Sequence, residues 1–313
     1  ILHILKKYSD YKIINLDKLT YAGNPDNLKS LEDNPNYQFV KGDICNKELV
    51  DYLMKQVDAI VHFAAESHVD RSIINSDEFV KTNVLGTQVL LDAALRNNKK
   101  RFHHISTDEV FGALGKEGKF SETTPYNPHS PYSASKAAAD HLVRAYFDTH
   151  KLPITISNCS NNYGPFQFPE KLMPLFITNL LDNKKVPVYG TGENIRDWIH
   201  VQDHNEAVDL ILHNGKLGDT YCIGGDAEIS NIEITKMILR EFNLSEDMIE
   251  YVEDRKGHDF RYAIDFSKIK HELNWQPRKT FKQGLKETIK WYKENENWWR
   301  PLKGKVIKDI TKN

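Results

Sequence analysis

What most constrains this chain is an alternation. Short runs rich in β-branched and aromatic residues recur at 13–17, 37–44, 57–65, 100–105 and 152–158, with helical spacing in most of the segments between them. Strands alternating with helices predict a parallel sheet with helices on both faces, an α/β chain of the doubly wound kind. Several runs end in polar residues. Asp17 closes the first, Asp43 lies near the end of the second, Ser106 to Glu109 follow the fourth, and Asn158 closes the fifth. In open parallel sheets ligands bind beyond the C-terminal strand ends, so these tips are the first candidates for a site.

The densest tip reads Ser106-Thr107-Asp108-Glu109-Val110-Phe111-Gly112, with two hydroxyls and two adjacent carboxylates. Taken alone, Ser, Thr and Asp here suit the start of a helix. Downstream, 130–150 has helical spacing, and Tyr132 and Lys136 stand four apart on one helix face. An ammonium beside a phenol favours the phenolate, which turns a tyrosine into a usable base near neutral pH. Two carboxyls beside it can divide acid and base work if their environments differ. Tyrosine and lysine are common on helices. The weight lies in the order: apolar strand, polar tip, loop, then Tyr and Lys on a helix, all after a dinucleotide-type βαβ pattern.

Totals exclude several classes. The 313 residues suit one large or two intimate domains, and 40% hydrophobic with 27% charged content is ordinary for a globular enzyme. A net charge of −2 gives no basic field for nucleic acid. Cys45, Cys159 and Cys222 are far apart, which argues against a disulfide framework or zinc site and fits a reducing cytoplasm. The thirteen histidines form no evident ligand pair on a helix, so no metal is expected. No apolar run is long enough to span a bilayer, and no signal peptide is visible.

In a dinucleotide fold, an acid at the second strand's tip binds the adenosine ribose hydroxyls, roughly 20 residues after a glycine-rich turn. Asp17 fits that acid, though a turn residue would also suit the 18–25 segment. Counting back puts the turn before residue 1, so the first strand and the glycine fingerprint are expected to be missing from this sequence. Asp43 suits an adenine amine or the N-cap of a helix at 47–55. Ala64 and Ala65 allow backbone to approach a ligand closely, and 66–72 reads as a polar loop. Residues 79–97 read as a long helix interrupted by Gly86, with Thr82 and Asn83 near its start. After Asn158 the character changes. Helix 201–213 and strand 220–223 read as a return to the sheet, and helices 232–242, 267–272 and 281–293 as a smaller mixed part. The boundaries are therefore 1–158 plus 197–224 for the dinucleotide-binding domain, and 159–196 plus 225–313 for a mixed α/β substrate domain. The tail from Glu294, with Trp298 and Trp299, reads as a packed surface helix end.

With these residues in view, the chain resembles the extended short-chain dehydrogenase/reductase family over essentially its whole length, and within it the nucleotide-sugar 4,6-dehydratases. The motifs that carry the resemblance are Asp17-Lys18-Leu19-Thr20-Tyr21-Ala22-Gly23-Asn24, Phe63-Ala64-Ala65-Glu66-Ser67-His68-Val69-Asp70 and Ser106 to Gly112. Tyr132-Ser133-Ala134-Ser135-Lys136 and Cys159-Ser160-Asn161-Asn162-Tyr163-Gly164-Pro165 complete the set. The Asp-Glu pair after Thr107 is the discriminating one, since related epimerases lack it.

The resemblance implies a Rossmann-type fold, tightly bound NAD, and dTDP-glucose as the sugar nucleotide. Its chemistry is oxidation at C4, loss of water across C5 and C6, and hydride return to C6. Tyr132, its pKa lowered by Lys136, takes the 4-hydroxyl proton. Glu109 takes the C5 proton, Asp108 protonates the departing 6-hydroxyl, and Thr107 hydrogen-bonds the 4-oxygen. Cofactor contacts are implied at Asp17, Lys18, Leu19, Thr20, Asp43 and Ile44, and further at Ala64, Ala65, Thr82, Tyr132, Lys136 and Asn162. Substrate contacts are implied at Ser67, Thr107, Asn161, Lys171 and Leu172, at Pro187, Tyr189 and Arg196, and at Asn231, Arg255 and His258. Guanidinium forks at Arg196 and Arg255 match phosphate oxygens, and Tyr189 can flank the base. Asp17 disfavours NADP, whose extra phosphate it would repel. A homodimer is implied, with helices 79–97 and 130–150 pairing into a four-helix bundle; no nucleic acid or membrane partner is expected. One departure is Lys256, where the family has proline. The alternatives are a related dehydratase or 4-epimerase acting on a UDP-, CDP- or GDP-sugar, or a non-catalytic dinucleotide-binding protein.

Overall fold

A computed structural model of the chain describes residues 1–255 and 257–310, the side chains of 305–310 excepted, so the Lys256 departure lies outside the described residues. The chain opens with α1 (Leu2–Lys7), then β1 (Ile13–Asp17) and β2 (Tyr37–Lys41), paired in parallel with Asp17 opposite Lys41. A helix α2 (Lys47–Met54) leads to β3 (Ala59–His62). Its N-cap is Asn46, whose side chain accepts from Leu49 N; Asp43 instead caps the preceding turn by accepting from Cys45 N.

The polar stretch expected as a loop at 66–72 turns helical from its fourth residue, forming α3 (Val69–Ile74). Its density of polar groups concealed a short helix that lies beside the site. The long helix expected at 79–97 begins earlier. It runs from α4 (Asp77–Phe79) through a π-helical stretch, Val80–Gly86, into α5 (Thr87–Arg96). Gly86 does not break it. A Cβ there would sit 2.4 Å from Ile44 Cδ1, so glycine lets the helix lie against that side chain.

Next come β4 (Arg101–Thr107), α6 (Pro131–His150) and β5 (Ile154–Cys159). α6 has strong local reasons to start and stop. Ser130 and Ser133 form a capping box, Pro131 fills the first turn, and Lys151 ends the helix in the left-handed region. A short β6 (Asn161–Tyr163) precedes α7 (Leu172–Leu181), β7 (Val186–Tyr189) and β8 (Ile195–His200). Then α8 (Val201–Asn214) and β9 (Thr220–Ile223) return to the large sheet. Its order is β3-β4-β5-β9, all parallel, with Thr107 opposite Cys159 and Asn158 opposite Cys222.

The remaining elements are β10 (Glu228–Ser230), α9 (Asn231–Glu241), β11 (Ile249–Val252), α10 (Ser267–Leu273), α11 (Phe281–Glu294) and α12 (Glu296–Ile310). β10, β8 and β6 form a second sheet, and β7 pairs with β11.

The two largest of the apolar clusters among the described residues hold these layers. One, with Val50, Leu91, Phe102, Ile154 and Ile156, lies between the large sheet and α2, α5 and α6. The other, with Tyr163, Met173, Trp198, Ile234 and Leu285, includes Trp299. The tail expected on the surface is thus partly core. Trp299 is fully buried and donates to Tyr292 O, while Trp298 reaches Asn27. Among the described residues no helix is long and apolar enough to cross a membrane, and no cluster of ligating side chains could hold a metal ion.

Candidate active site

The large sheet delivers Thr107 at the C-terminal end of β4, and the chain then turns through the 3-10 segment Asp108–Phe111. Thr107 is its N-cap: its hydroxyl accepts from Glu109 N at 3.3 Å and donates to Asp108 Oδ1 at 3.2 Å. The capping and the chemical readings of this stretch are therefore compatible. Gly112 follows at φ +86°, where a Cβ would lie 2.4 Å from Asn127 O, so the turn needs glycine.

α6 sets Tyr132 and Lys136 under the same strand end, both buried. The Tyr132 phenol is pushed well above its usual value, chiefly by burial and then by Glu109, while a hydrogen bond with Thr107 pulls it down. The Lys136 ammonium donates to Ile105 O at 2.7 Å and lies 3.5 Å from His104 Nε2. Against the expectation of a phenol lowered by Lys136, burial outweighs any such pull and the phenol stands above its usual value. In this structure the ammonium is turned to the strand backbone and imidazole.

The two carboxyls differ. Asp108 is 2% exposed, and burial, then Glu109 and Asp197, hold its carboxyl well above the carboxylate range. Glu109 is raised too, by burial, but Arg196, Lys171 and Arg255 pull it back. Both carboxyls are held up by burial, Asp108 the further, and the three cations work to return Glu109 toward the carboxylate, the direction of difference that paired acid and base work needs.

The structure brings many predicted substrate residues to this tip. The charges of Arg196, Lys171 and Arg255 all act on Glu109. Lys171 donates to Ser67 O at 3.1 Å, joining α7's start to the loop after β3; Leu172 is the first residue of α7. Arg196 donates to Asp259 O at 2.9 Å and stacks 4.1 Å above the Tyr262 ring. Arg255 forms a two-pronged pair with Asp70, at 2.6 and 2.9 Å, and lies 5.4 Å from the Tyr189 ring. His258 meets the same ring edge-on, and Pro187 shares β7 with it. Asn161 and Asn231 each have a buried side-chain oxygen without a partner among the described residues. Such orphaned acceptors suit a ligand that donates.

The predicted cofactor residues form a second group. Asp17, exposed at the tip of β1, accepts from Leu19 N, and Lys18 pairs with Asp43 at 2.9 Å; Thr20 closes the turn by accepting from Gly23 N. Ile44 is buried against Gly86, Thr82 lies in the π-helical stretch, and Ala64 and Ala65 follow β3. Asn162 is turned inward, its amide donating to Ser160 O and its oxygen meeting His204 Nδ1 at 2.9 Å. A carboxylate whose partner is its own loop, beside small residues at strand ends, fits a dinucleotide with an unphosphorylated ribose.

Sequence reasoning missed Asp70, Asp197, Asp259 and Tyr262, which reach the site only through the fold. It also missed Asp140, whose signal was present: it stands one helical turn beyond Lys136.

A sequence profile of the GDP-mannose 4,6 dehydratase family matches residues 2–288. The chain is 52% identical over 295 residues to a dTDP-glucose 4,6-dehydratase of Streptomyces niveus, covering 94% of this chain and 88% of that protein. It is similar to the crystal structure of the Bacillus anthracis dTDP-glucose 4,6-dehydratase in complex with NAD, with 49% identity, a TM-score of 0.91, and coverage of 96% and 94%. The Streptomyces venezuelae dTDP-glucose 4,6-dehydratase, also solved with NAD, superposes with a TM-score of 0.94 at 46% identity, covering 96% and 95%.

Proposed function

Because the chain belongs to the dTDP-glucose 4,6-dehydratase family of extended short-chain dehydrogenases/reductases, we propose that it dehydrates dTDP-glucose to dTDP-4-keto-6-deoxyglucose with NAD as its cofactor. The observation that carries this reading is the adjacent Asp108 and Glu109 beside Tyr132, both carboxyls held up by burial and Asp108 well above its usual range.

NAD supplies the hydride acceptor at C4, the hydride donor at C6 and, oxidised, a positive charge that favours the phenolate. Tyr132 accepts the proton of the sugar 4-hydroxyl as the ketone forms. The ketone acidifies the C5 proton, and Glu109 takes it. Asp108 gives its proton to the 6-hydroxyl, which leaves as water, and Glu109 returns a proton to C5. The balance then leaves Tyr132 one proton too many and Asp108 one too few. The Thr107 hydroxyl contacts both groups, which supports a direct return of that proton. Arg196, Lys171 and Arg255 supply cationic charge for the diphosphate. Arg255 leaves Asp70 to do so.

The cofactor is held by 1–158 with 197–224, and the sugar nucleotide by 159–196 with 225–313. The protein works as a homodimer through a four-helix bundle built from 79–97 and 130–150. Support comes from Ile74, Val80 and Leu85, which are 71%, 55% and 43% exposed on and beside the helices that pack on α6. Three unpaired cysteines favour a reducing compartment, the cytoplasm. Incubation with dTDP-glucose tests the activity: the expected product has lost one water and shows the alkaline chromophore of a 4-keto sugar. Turnover only with another nucleotide would redirect the assignment.

A further inference from the structure

The buried polar core beneath the Tyr132–Lys136 pair has its own centre. Asp140 is fully buried on α6, one turn after Lys136. Its Oδ2 accepts from Ser106 Oγ at 2.7 Å, Tyr126 OH at 2.8 Å and Asn158 Nδ2 at 3.4 Å. Its Oδ1 lies 3.2 Å from His104 Nε2, the same nitrogen that lies 3.5 Å from the Lys136 ammonium. The imidazole therefore stands between ammonium and carboxylate, and Ser106 ties that carboxylate to the strand that carries Thr107.

We propose that Asp140 is a positioning residue for the reaction, the counter-charge that keeps the Lys136 ammonium in place beneath the strand end bearing Thr107, Asp108 and Glu109. The inference rests on the reading above, in which Tyr132 takes the 4-hydroxyl proton as C4 is oxidised; a charged Lys136 one turn along the same helix favours its phenolate, as oxidised NAD does.

The surroundings explain why one carboxylate matters. Burial pulls Lys136 below the usual lysine range, and Asp140 is the largest charge opposing that pull. From β5 the Cys159 thiol also faces the ammonium, but burial pushes it up to about 12, so it stays neutral. From β4, His104 is drawn down to about 4 by burial and by Lys136, and from β3 His62 lies well below its usual value. Both imidazoles are neutral at working pH and supply no counter-charge. Tyr132, on the same helix, is held protonated in this structure. One turn beyond Asp140, Arg144 donates to Tyr126 OH at 3.4 Å, the same hydroxyl that donates to Asp140. Burial works against the Asp140 carboxylate, yet His104, Lys136 and Ser106 hold it below the usual range. A lone ammonium at this depth would lose its proton instead.

The catalytic test follows C4 oxidation by its near-ultraviolet absorbance, in NAD-loaded Asp108→Asn enzyme, where the later proton donor is removed. Adding Asp140→Asn should move the alkaline limb of that rate to lower pH by about 1–3 units, the scale set by one nearby opposite charge. Asp140→Glu should hold the limb near its original position. A slower variant with an unmoved limb would reduce Asp140 to a structural role and overturn the proposal. Melting without substrate tests the charge pairing separately. Asp140→Asn and Lys136→Met should each melt lower, and the double variant should recover most of the loss, because removing both partners strands no charge. A double variant no more stable than the worse single overturns the pairing, even if Asp140→Asn alone does not fold. Because melting needs no substrate, absence of dTDP-glucose turnover would defeat the functional reading without deciding this result.

Discussion

At the scale of single residues, chemistry here is set by unequal burial of like groups. Asp108 and Glu109 are neighbours in sequence, yet the turn buries one beside Asp197 and leaves the other facing three cations. Asp108→Asn keeps the shape but has no carboxyl proton to give the 6-hydroxyl. NADH absorbance should therefore build up on mixing with dTDP-glucose, while water loss, read by mass, slows by about 10²–10⁴-fold. Wild-type turnover would remove Asp108 from the acid role. Tyr132→Phe should prevent that absorbance from appearing at all. The raised pKa of Asp108 also has a sign. The acid form works, so product formation falls as pH rises through that raised value, and Asp108→Asn should abolish this limb in whatever turnover remains.

At the scale of elements, one helix joint is polar. α1 docks on α8 through Asp209, a nearly fully buried carboxylate that receives Lys7, His3 and Tyr8. Burial raises this carboxyl, but those three hydrogen bonds win and hold it below its usual value. A depressed carboxyl stabilises the fold above its unfolded pKa, and that contribution disappears as pH falls through the folded value. Asp209→Asn should lower stability by about 1–3 kcal/mol at neutral pH, with the difference shrinking in acid. Equal denaturation midpoints at pH 7 would contradict this joint. Elements also decided what was hidden in the sequence. The polar run at 66–72 gives no apolar period, yet α3 forms from Val69, with Ser72 its buried residue and the Ser72 hydroxyl donating to Val69 O.

At the scale of the molecule, the apolar helix face outside α6 is the surface that a second copy would cover. Val80, 55% exposed, tolerates a charge in the folded chain. Val80→Asp should keep the secondary structure of the folded chain by circular dichroism and raise the proposed dimer's dissociation constant by at least about tenfold, seen as a shift toward monomer by light scattering at micromolar concentration. A variant that stays as associated as the wild type would place the interface elsewhere. The same scale explains Trp299, whose lysine-rich surroundings suggest surface but which fills a core between α11 and the second sheet.

The sequence by itself determined the alternation of strands and helices, the polar tips at Asp17 and Thr107–Glu109, and the shared face of Tyr132 and Lys136. These follow from local periodicity and strand-end chemistry, which neighbouring residues alone can express. Tertiary structure decided the rest. Arg196, Arg255 and Lys171 act on Glu109 from three separate parts of the chain, and no spacing in the chain encodes that meeting. Burial, too, is a property of the assembled layers. It drives Asp108 and Tyr132 upward and turns the Lys136 ammonium toward Ile105 and His104, with Asp140 beyond, so the acidities that make the site work arise only once the chain has closed around it.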